Sequence, residues 1–182
     1  MTMDAPRFDP AGYYELDVAK GTVRTRRGER VIILSDNVVT ALVSAAARSG
    51  DLAGLRALGT QVGTEVREVL GDDPKRATPE AVLTEAAAVV ATLGLGSLSV
   101  DRWGDAIAVR LDDAPELAET ALQAFLEALL ESMAGRAVAC VSAAGSFLVV
   151  DPGIADVVRG WAAGGASIAT MVGRLGPEEG AA

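Results

Sequence analysis

The chain has 182 residues, half of them hydrophobic and 4% aromatic, and a formal net charge of −9. This length suits one domain with a core of small aliphatic side chains, and the acidic balance argues against binding to nucleic acid or to anionic membrane. With no histidine and one cysteine, the chain excludes Ser-His, Cys-His and His-metal sites and an internal disulfide. We expect a cytoplasmic protein without metal, cofactor or catalytic residues.

The N-terminal third predicts a small sheet followed by a helix. The opening "MTMDAPRFDP" lacks the apolar run of a signal peptide. Alternation over residues 13–18 and 22–25 predicts a hairpin, and residues 30–34 predict a further strand or an extended lead-in. Ser35 or Asp36 then caps a helix, whose apolar face consists of Val38, Val39, Leu42, Val43 and Ala46.

The next helix, residues 55–71, contains Gly59 and Gly63 on or beside its apolar face. Glycine costs a helix interior about 1 kcal/mol relative to alanine, so two of them need a reason. One interpretation is a close contact with another helix or with a sheet. The other is that the missing side chains make room for a subunit interface or an apolar ligand.

The second half alternates helices with hairpins. After a polar loop, Thr78 caps a helix over residues 80–94, with Pro79 at its first position. Hairpins are predicted around "WGD" and around "AAG", with a helix over 115–133 between them. Residues 151–175 form two short helical pieces separated by Gly164-Gly165, and 176–182 form a tail. This order predicts one α+β domain over 1–182, with an antiparallel sheet, helices mainly on one face and a C-terminal helical extension.

The candidate reactive groups have structural explanations. Cys140 lies in an apolar strand and is interpreted as a buried, inert thiol. Asp72-Asp73 is interpreted as a solvated turn, Asp112-Asp113 as acids at a helix N-terminus, and the arginines of "RTRRGER" as a solvated turn or a reader of an acidic partner patch. "GLGSLS" leads from helix to strand, whereas a phosphate loop leads from strand to helix.

Trp103 and Trp161 are the two tryptophans of the chain. Trp103 lies near a hairpin tip, where it either marks an interface or packs over the hairpin. Trp161 precedes "AAGG" and is expected to close the core, with an interface as the alternative.

The order of these segments resembles the superfamily of small TRAPP vesicle-tethering subunits and 4-vinyl-reductase domains. The matching segments, within residues 13–150, are "VAKGTVRTRRGERVIIL", "LGTQVGTEV", "TLGLGSLSV" and "FLEALLESMAGRAVACV". The resemblance implies an α+β fold, a dimer built from helices, and in some members an apolar pocket for an acyl chain, a hydrocarbon or a small ligand. It implies adaptor or sensor work more often than catalysis.

The sequence departs from that family in three places. Cys140 stands without the other Cys and His residues that many prokaryotic members use for metal binding, and it does not match the acylated cysteine of TRAPP subunits. The helical extension has no counterpart in the pattern.

We therefore predict a non-catalytic homodimeric module with an apolar groove for a hydrophobic small molecule, an acyl chain or a partner helix. The residues assigned to this groove or to the dimer contact are Gly59, Gly63, Leu122, Phe125, Leu126 and Leu129. The alternative is a scaffold subunit of a larger cytoplasmic assembly, with the extension as its docking element. An enzyme is the least favoured of the three.

Overall fold

The computed structural model describes residues 8–71 and 78–176. Its elements in chain order are β1 (Tyr14–Asp17), β2 (Thr22–Thr25), β3 (Arg30–Val31), α1 (Asp36–Ser49), α2 (Ala53–Leu70), α3 (Pro79–Thr92), β4 (Ser97–Trp103), β5 (Ala106–Asp112), α4 (Glu119–Ala134), β6 (Ala139–Ala143), β7 (Ser146–Val150), α5 (Ala155–Ala163) and α6 (Ile168–Leu175). Asp72-Asp73 and the tail from residue 177 onward lie outside the described residues. In those that are described, no helix has the length and hydropathy needed to cross a bilayer.

The fold is α+β, as predicted. β1, β2 and β3 form one antiparallel sheet, and a second antiparallel sheet has the order β4-β5-β7-β6. Both predicted hairpins of the second sheet are confirmed. The turn between β6 and β7 consists of Ala144 and Gly145, which both have positive φ, as a type I′ turn requires.

Alternation along the strands of the second sheet creates two cores. Leu98, Val109, Cys140 and Phe147 point to one face, where they pack with residues of α2, α3 and α4. The other face carries a separate cluster that includes α5 and α6, made of Ala139, Val141, Leu148, Val150, Ala155, Val158 and Met171. Three helices therefore lie on one face, and the C-terminal extension covers the opposite face.

Helix α4 begins later than the sequence predicts. Its first residue is Glu119 rather than Pro115, because residues 113–118 form an irregular loop in which the Leu117 amide donates to the Pro115 carbonyl. Asp112 ends β5, and Asp113 adopts a left-handed conformation with φ +52°. The interpretation of these two acids as helix N-terminal residues is therefore wrong.

The C-terminal extension packs on its own domain. Val158 and Met171 are fully buried against the second sheet. The helical spacing of Ile154, Val157, Val158 and Trp161 predicts one buried apolar face for the first piece. This prediction is wrong in part, since Ile154 and Val157 are exposed. Ile154 precedes the first residue of α5, and Val157 lies one residue, about 100°, away from the buried Val158.

Candidate functional site

The N-terminal sheet has one apolar face and one charged face. Leu16 pairs with Val23, and Val23 pairs with Val31, so these side chains form one row across the sheet. Glu15 and Arg24, which pair with each other, point to the other face. Leu16 is exposed although it lies on the apolar face, so this small sheet is only partly covered within the chain.

An apolar cleft of about 630 Å³ opens where this sheet runs into α1. Its walls come from the segment after β3, from the turn after α3 and from the loop before α4. The apolar lining residues are Val31, Ile32, Ile33, Leu34, Val39, Leu93, Leu95, Ala114 and Pro115. Ile32 and Ile33 are 78% and 72% exposed, an unusual state for two adjacent isoleucines in a folded chain.

Backbone geometry fixes the wall formed by the loop before α4. Gly96 has φ +108°, and a Cβ there would lie 2.5 Å from the Asp112 carbonyl oxygen and 3.0 Å from the Ala114 amide nitrogen. The start of β4 and this loop are therefore in direct backbone contact. Asp113, in its left-handed conformation, lies on the cleft side of the same loop.

The polar groups of the cleft are acidic or neutral. Tyr14, Thr92, Asp36 and Asp113 line it, and no Lys or Arg is among the described residues that do. Burial, and then the nearby Glu65 carboxylate, raises the pKa of Tyr14, so this residue presents a neutral hydroxyl. A cleft of this kind suits a neutral apolar molecule with a hydrogen-bond donor better than it suits an anion.

Helix α1 borders the cleft and has no buried residue. Val39, Val43 and Ala46 are half-buried, whereas Val38 and Leu42 of the predicted apolar face are exposed. The helix is confirmed, but its apolar face is only partly covered by the described chain.

Gly59 and Gly63 make a close contact between α2 and α4. A Cβ on Gly59 would lie 2.3 Å from the Phe125 carbonyl oxygen, and one on Gly63 would lie 2.7 Å from the Leu129 carbonyl oxygen. The close-contact interpretation is confirmed, and the partner is α4 of the same chain. A role of these two glycines in a subunit interface or in a ligand site stays a prediction.

The other predicted groove residues lie on α4 or at the domain surface. Phe125, Leu126 and Leu129 are buried in the first core, and Leu122 packs against it at the edge. They do not line the cleft described above.

The two tryptophans lie near the domain surface. Trp103 ends β4 and is 41% exposed. Trp161 is half-buried beside the second core, and the Arg174 guanidinium lies 5.4 Å from the centre of its ring. Their interface roles also stay predictions.

Sequence reasoning missed three buried glutamates, Glu65, Glu85 and Glu127. Glu127 accepts hydrogen bonds from the Gln123 amide at 3.0 Å and from the Cys140 backbone N–H at 3.1 Å. The helical spacing gave only a weak sign that these glutamates are buried. All three lie next to helix faces whose apolar residues can be recognised in the sequence. The partners of Glu65 and Glu85 are distant in sequence, at 52 and 77 positions, and could not be read from it.

Cys140 lies in the first core and is fully buried. Burial, followed by the charges of Glu127 and Glu131, raises its pKa to about 12, so the thiol stays protonated at neutral pH and is not a nucleophile. Over residues 8–71 and 78–176, no three Cys, Asp or Glu side chains group as metal ligands.

No model of a known protein family matches the chain, and no curated protein matches its sequence. Among solved structures, the chain is similar to the phenol-responsive sensory domain of the transcription activator PoxR, determined with phenol. The TM-score is 0.55 at 13% sequence identity, and the match covers 82% of this chain and 92% of that domain. At this identity the likeness shows a shared fold.

Proposed function

We propose that the protein is a non-catalytic, cytoplasmic module that binds a neutral, apolar small molecule carrying a hydroxyl group. The apolar cleft beside Ile32 and Ile33 carries this proposal. Its volume of about 630 Å³ lies in the usual range for small-molecule sites. The shared fold with a phenol-responsive sensory domain supports a ligand-binding role, and the resemblance to TRAPP and 4-vinyl-reductase proteins is consistent with it.

Charge distinguishes among the ligands considered from the sequence. A free fatty acid ends in a carboxylate, which Asp36 and Asp113 at the cleft would repel. A phenolic or alcoholic hydroxyl can instead donate a hydrogen bond to either carboxylate. A neutral ligand is therefore favoured over a fatty acid.

Calorimetric titration with 4-alkylphenols tests this function. Each added methylene buries more apolar surface, so affinity should rise about fourfold per methylene until the cleft is filled. Decanoate, which has the same number of carbon atoms as 4-butylphenol, should bind at least about tenfold more weakly than 4-butylphenol.

A pair of surface variants locates the site. Ile33→Asp should weaken 4-butylphenol binding by about tenfold or more, because it places a charge in the cleft. Val18→Asp is the matched control, since Val18 is similarly exposed but does not line the cleft. This variant should bind 4-butylphenol with wild-type affinity. Absence of alkylphenol binding, or equal losses in the two variants, would refute the proposed site.

We further propose that the module is a homodimer in which the exposed face of α1 is covered by a second copy. Val38 and Leu42 lie one turn apart on this exposed face, and the exposed Ile32 and Ile33 precede the helix by a few residues. Exposed aliphatic patches on a protein surface mark interfaces. The scaffold alternative has less support, because its docking element, α5 with α6, is already packed on the second sheet.

Leu42→Glu should convert a dimer to a monomer in sedimentation velocity, since it places a charge in the proposed interface. Asn37→Glu, an exposed position in the first turn of the same helix, should leave the dimer intact. A wild-type protein that sediments as a monomer at its highest soluble concentration would contradict the dimer.

A further inference from the structure

The segment before β1 is held across α2 and α3 by two buried carboxylates. The backbone N–H of Phe8 donates to Glu85 Oε2 at 2.8 Å, and the Tyr13 hydroxyl donates to Glu65 Oε1 at 2.5 Å. The rings of Phe8 and Tyr13 are in contact, with centres 5.4 Å apart. This segment therefore covers a part of α2 that contains a buried acid.

Among the described residues, Glu65 is a buried carboxyl group without a buried counter-ion. It is 5% exposed, and within the described residues it has no ion pair and accepts one hydrogen bond, that from Tyr13. Its second oxygen, Oε2, has no donor there, but it is not among the atoms sealed from solvent. A carboxylate removed from water is costly unless a cation or several donors compensate it, so this oxygen is available to a cationic donor.

The carboxylate borders a pocket of about 290 Å³ that is separate from the apolar cleft. Phe8, Tyr13 and Val69 supply aromatic and aliphatic walls. Arg26, Arg27 and Asp9 line the same pocket with side chains that are about half-exposed or more, whereas Glu65 and Tyr13 are buried. The pocket thus has an acidic inner end, an apolar wall and an outer end with two guanidinium groups and one carboxylate.

Both arginines keep donors for a ligand. Nη2 of Arg26 donates to the carbonyl oxygens of Asp9 and Ala11 and lies 3.7 Å from the Asp9 carboxylate, and Arg27 pairs with Glu68 through Nη1. A guanidinium has five N–H groups, so further N–H groups remain on each side chain for a carboxylate.

We propose that this pocket binds a small zwitterion of the amino-acid class. The ligand's ammonium group donates to Glu65, its carboxylate binds Arg26 and Arg27, and its apolar side chain packs on Phe8 and Val69. The Tyr13 hydroxyl holds Glu65 in position and stays protonated, because burial and the Glu65 carboxylate both raise the pKa of Tyr13. This site does not depend on the apolar cleft or on the function proposed for it.

Calorimetry with three matched probes tests the site. L-phenylalanine has both charged groups, 2-phenylethylamine lacks the carboxylate, and 3-phenylpropionate lacks the ammonium group. The wild-type chain should bind L-phenylalanine at least about tenfold more tightly than either of the others, because each lost charge-assisted contact is worth about that factor.

Substitution of Glu65 then assigns the acidic end of the pocket. Glu65→Gln, which can still accept the Tyr13 hydrogen bond, should weaken L-phenylalanine and 2-phenylethylamine by about tenfold or more and leave 3-phenylpropionate unchanged. Glu116→Gln, an exposed position outside the pocket, is the control and should change none of the three. Ile33→Asp should keep full L-phenylalanine binding, which separates this site from the cleft.

Three results would overturn the proposal: no L-phenylalanine binding by the wild-type chain, equal affinity for L-phenylalanine and 3-phenylpropionate, or full affinity in Glu65→Gln. If Glu65→Gln fails to fold in a thermal melt, the comparison of the three probes on the wild-type chain decides the question alone.

Discussion

Replacing Gly59 by alanine should destabilise the protein by about 3 kcal/mol or more, the upper end of the cost of overpacking. The new methyl group would meet backbone, with the Phe125 carbonyl oxygen at 2.3 Å and the Leu129 amide nitrogen at 3.0 Å. Backbone cannot rotate away as a side chain can, so α2 and α4 would have to separate. The gain in helix propensity, about 1 kcal/mol, is smaller. Thermal melting should show a fall of roughly 6–12 °C.

Gly54 provides the matched control for this substitution. It lies on the same helix, and a Cβ there would have nothing within 4 Å. Gly54→Ala should therefore be neutral or stabilising by up to about 1 kcal/mol. If both variants melted at the wild-type temperature, the α2–α4 contact would not be as close as the structure shows.

Truncation after Asp151 should make the protein aggregate. It removes α5 and α6, and so uncovers the face of the second sheet that carries Val141 and Leu148. Each such side chain, once exposed, forgoes about 1.5–3 kcal/mol of burial energy. Size-exclusion chromatography should show loss of the native peak into the void volume, and a truncated chain that kept that peak would contradict the packing.

Two adjacent valines of α5 test the same packing without truncation. Val158 is fully buried and Val157 is 55% exposed. Val158→Asp should reproduce the loss of soluble protein, because it buries an unpaired charge. Val157→Asp should express and melt like the wild type. Equal behaviour of the two would show that α5 is not packed as described.

Local signals predicted most of the fold. The tips "WGD" and "AAG" identify two-residue hairpins, because glycine there supplies the positive φ that such turns need. Gly59 and Gly63 indicated a close contact, since their helical spacing placed them on or beside the buried face. The sequence did not identify α4 as the partner, because that contact joins residues about 66 positions apart.

The candidate sites were harder to predict. Ile32 and Ile33 follow a short strand, and nothing local distinguishes an exposed isoleucine from a core one. Glu65 lies between Thr64 and Val66, and its burial depends on the Tyr13 hydroxyl, 52 residues earlier. Pro115 suggested a helix start, but the loop geometry around Asp113 delays α4 to Glu119. In each case tertiary contacts override the local pattern.

Methyl NMR of the isoleucines tests the central claim, the ligand cleft, most directly. The chain has five isoleucines: Ile32 and Ile33 line the cleft, whereas Ile107, Ile154 and Ile168 lie elsewhere. On titration with 4-butylphenol, the largest saturable shifts should occur at the δ1 methyl groups of Ile32 and Ile33, with small or no shifts at the other three. Saturable shifts confined to Ile107, Ile154 or Ile168, or no saturable shifts at all, would contradict a ligand site in this cleft.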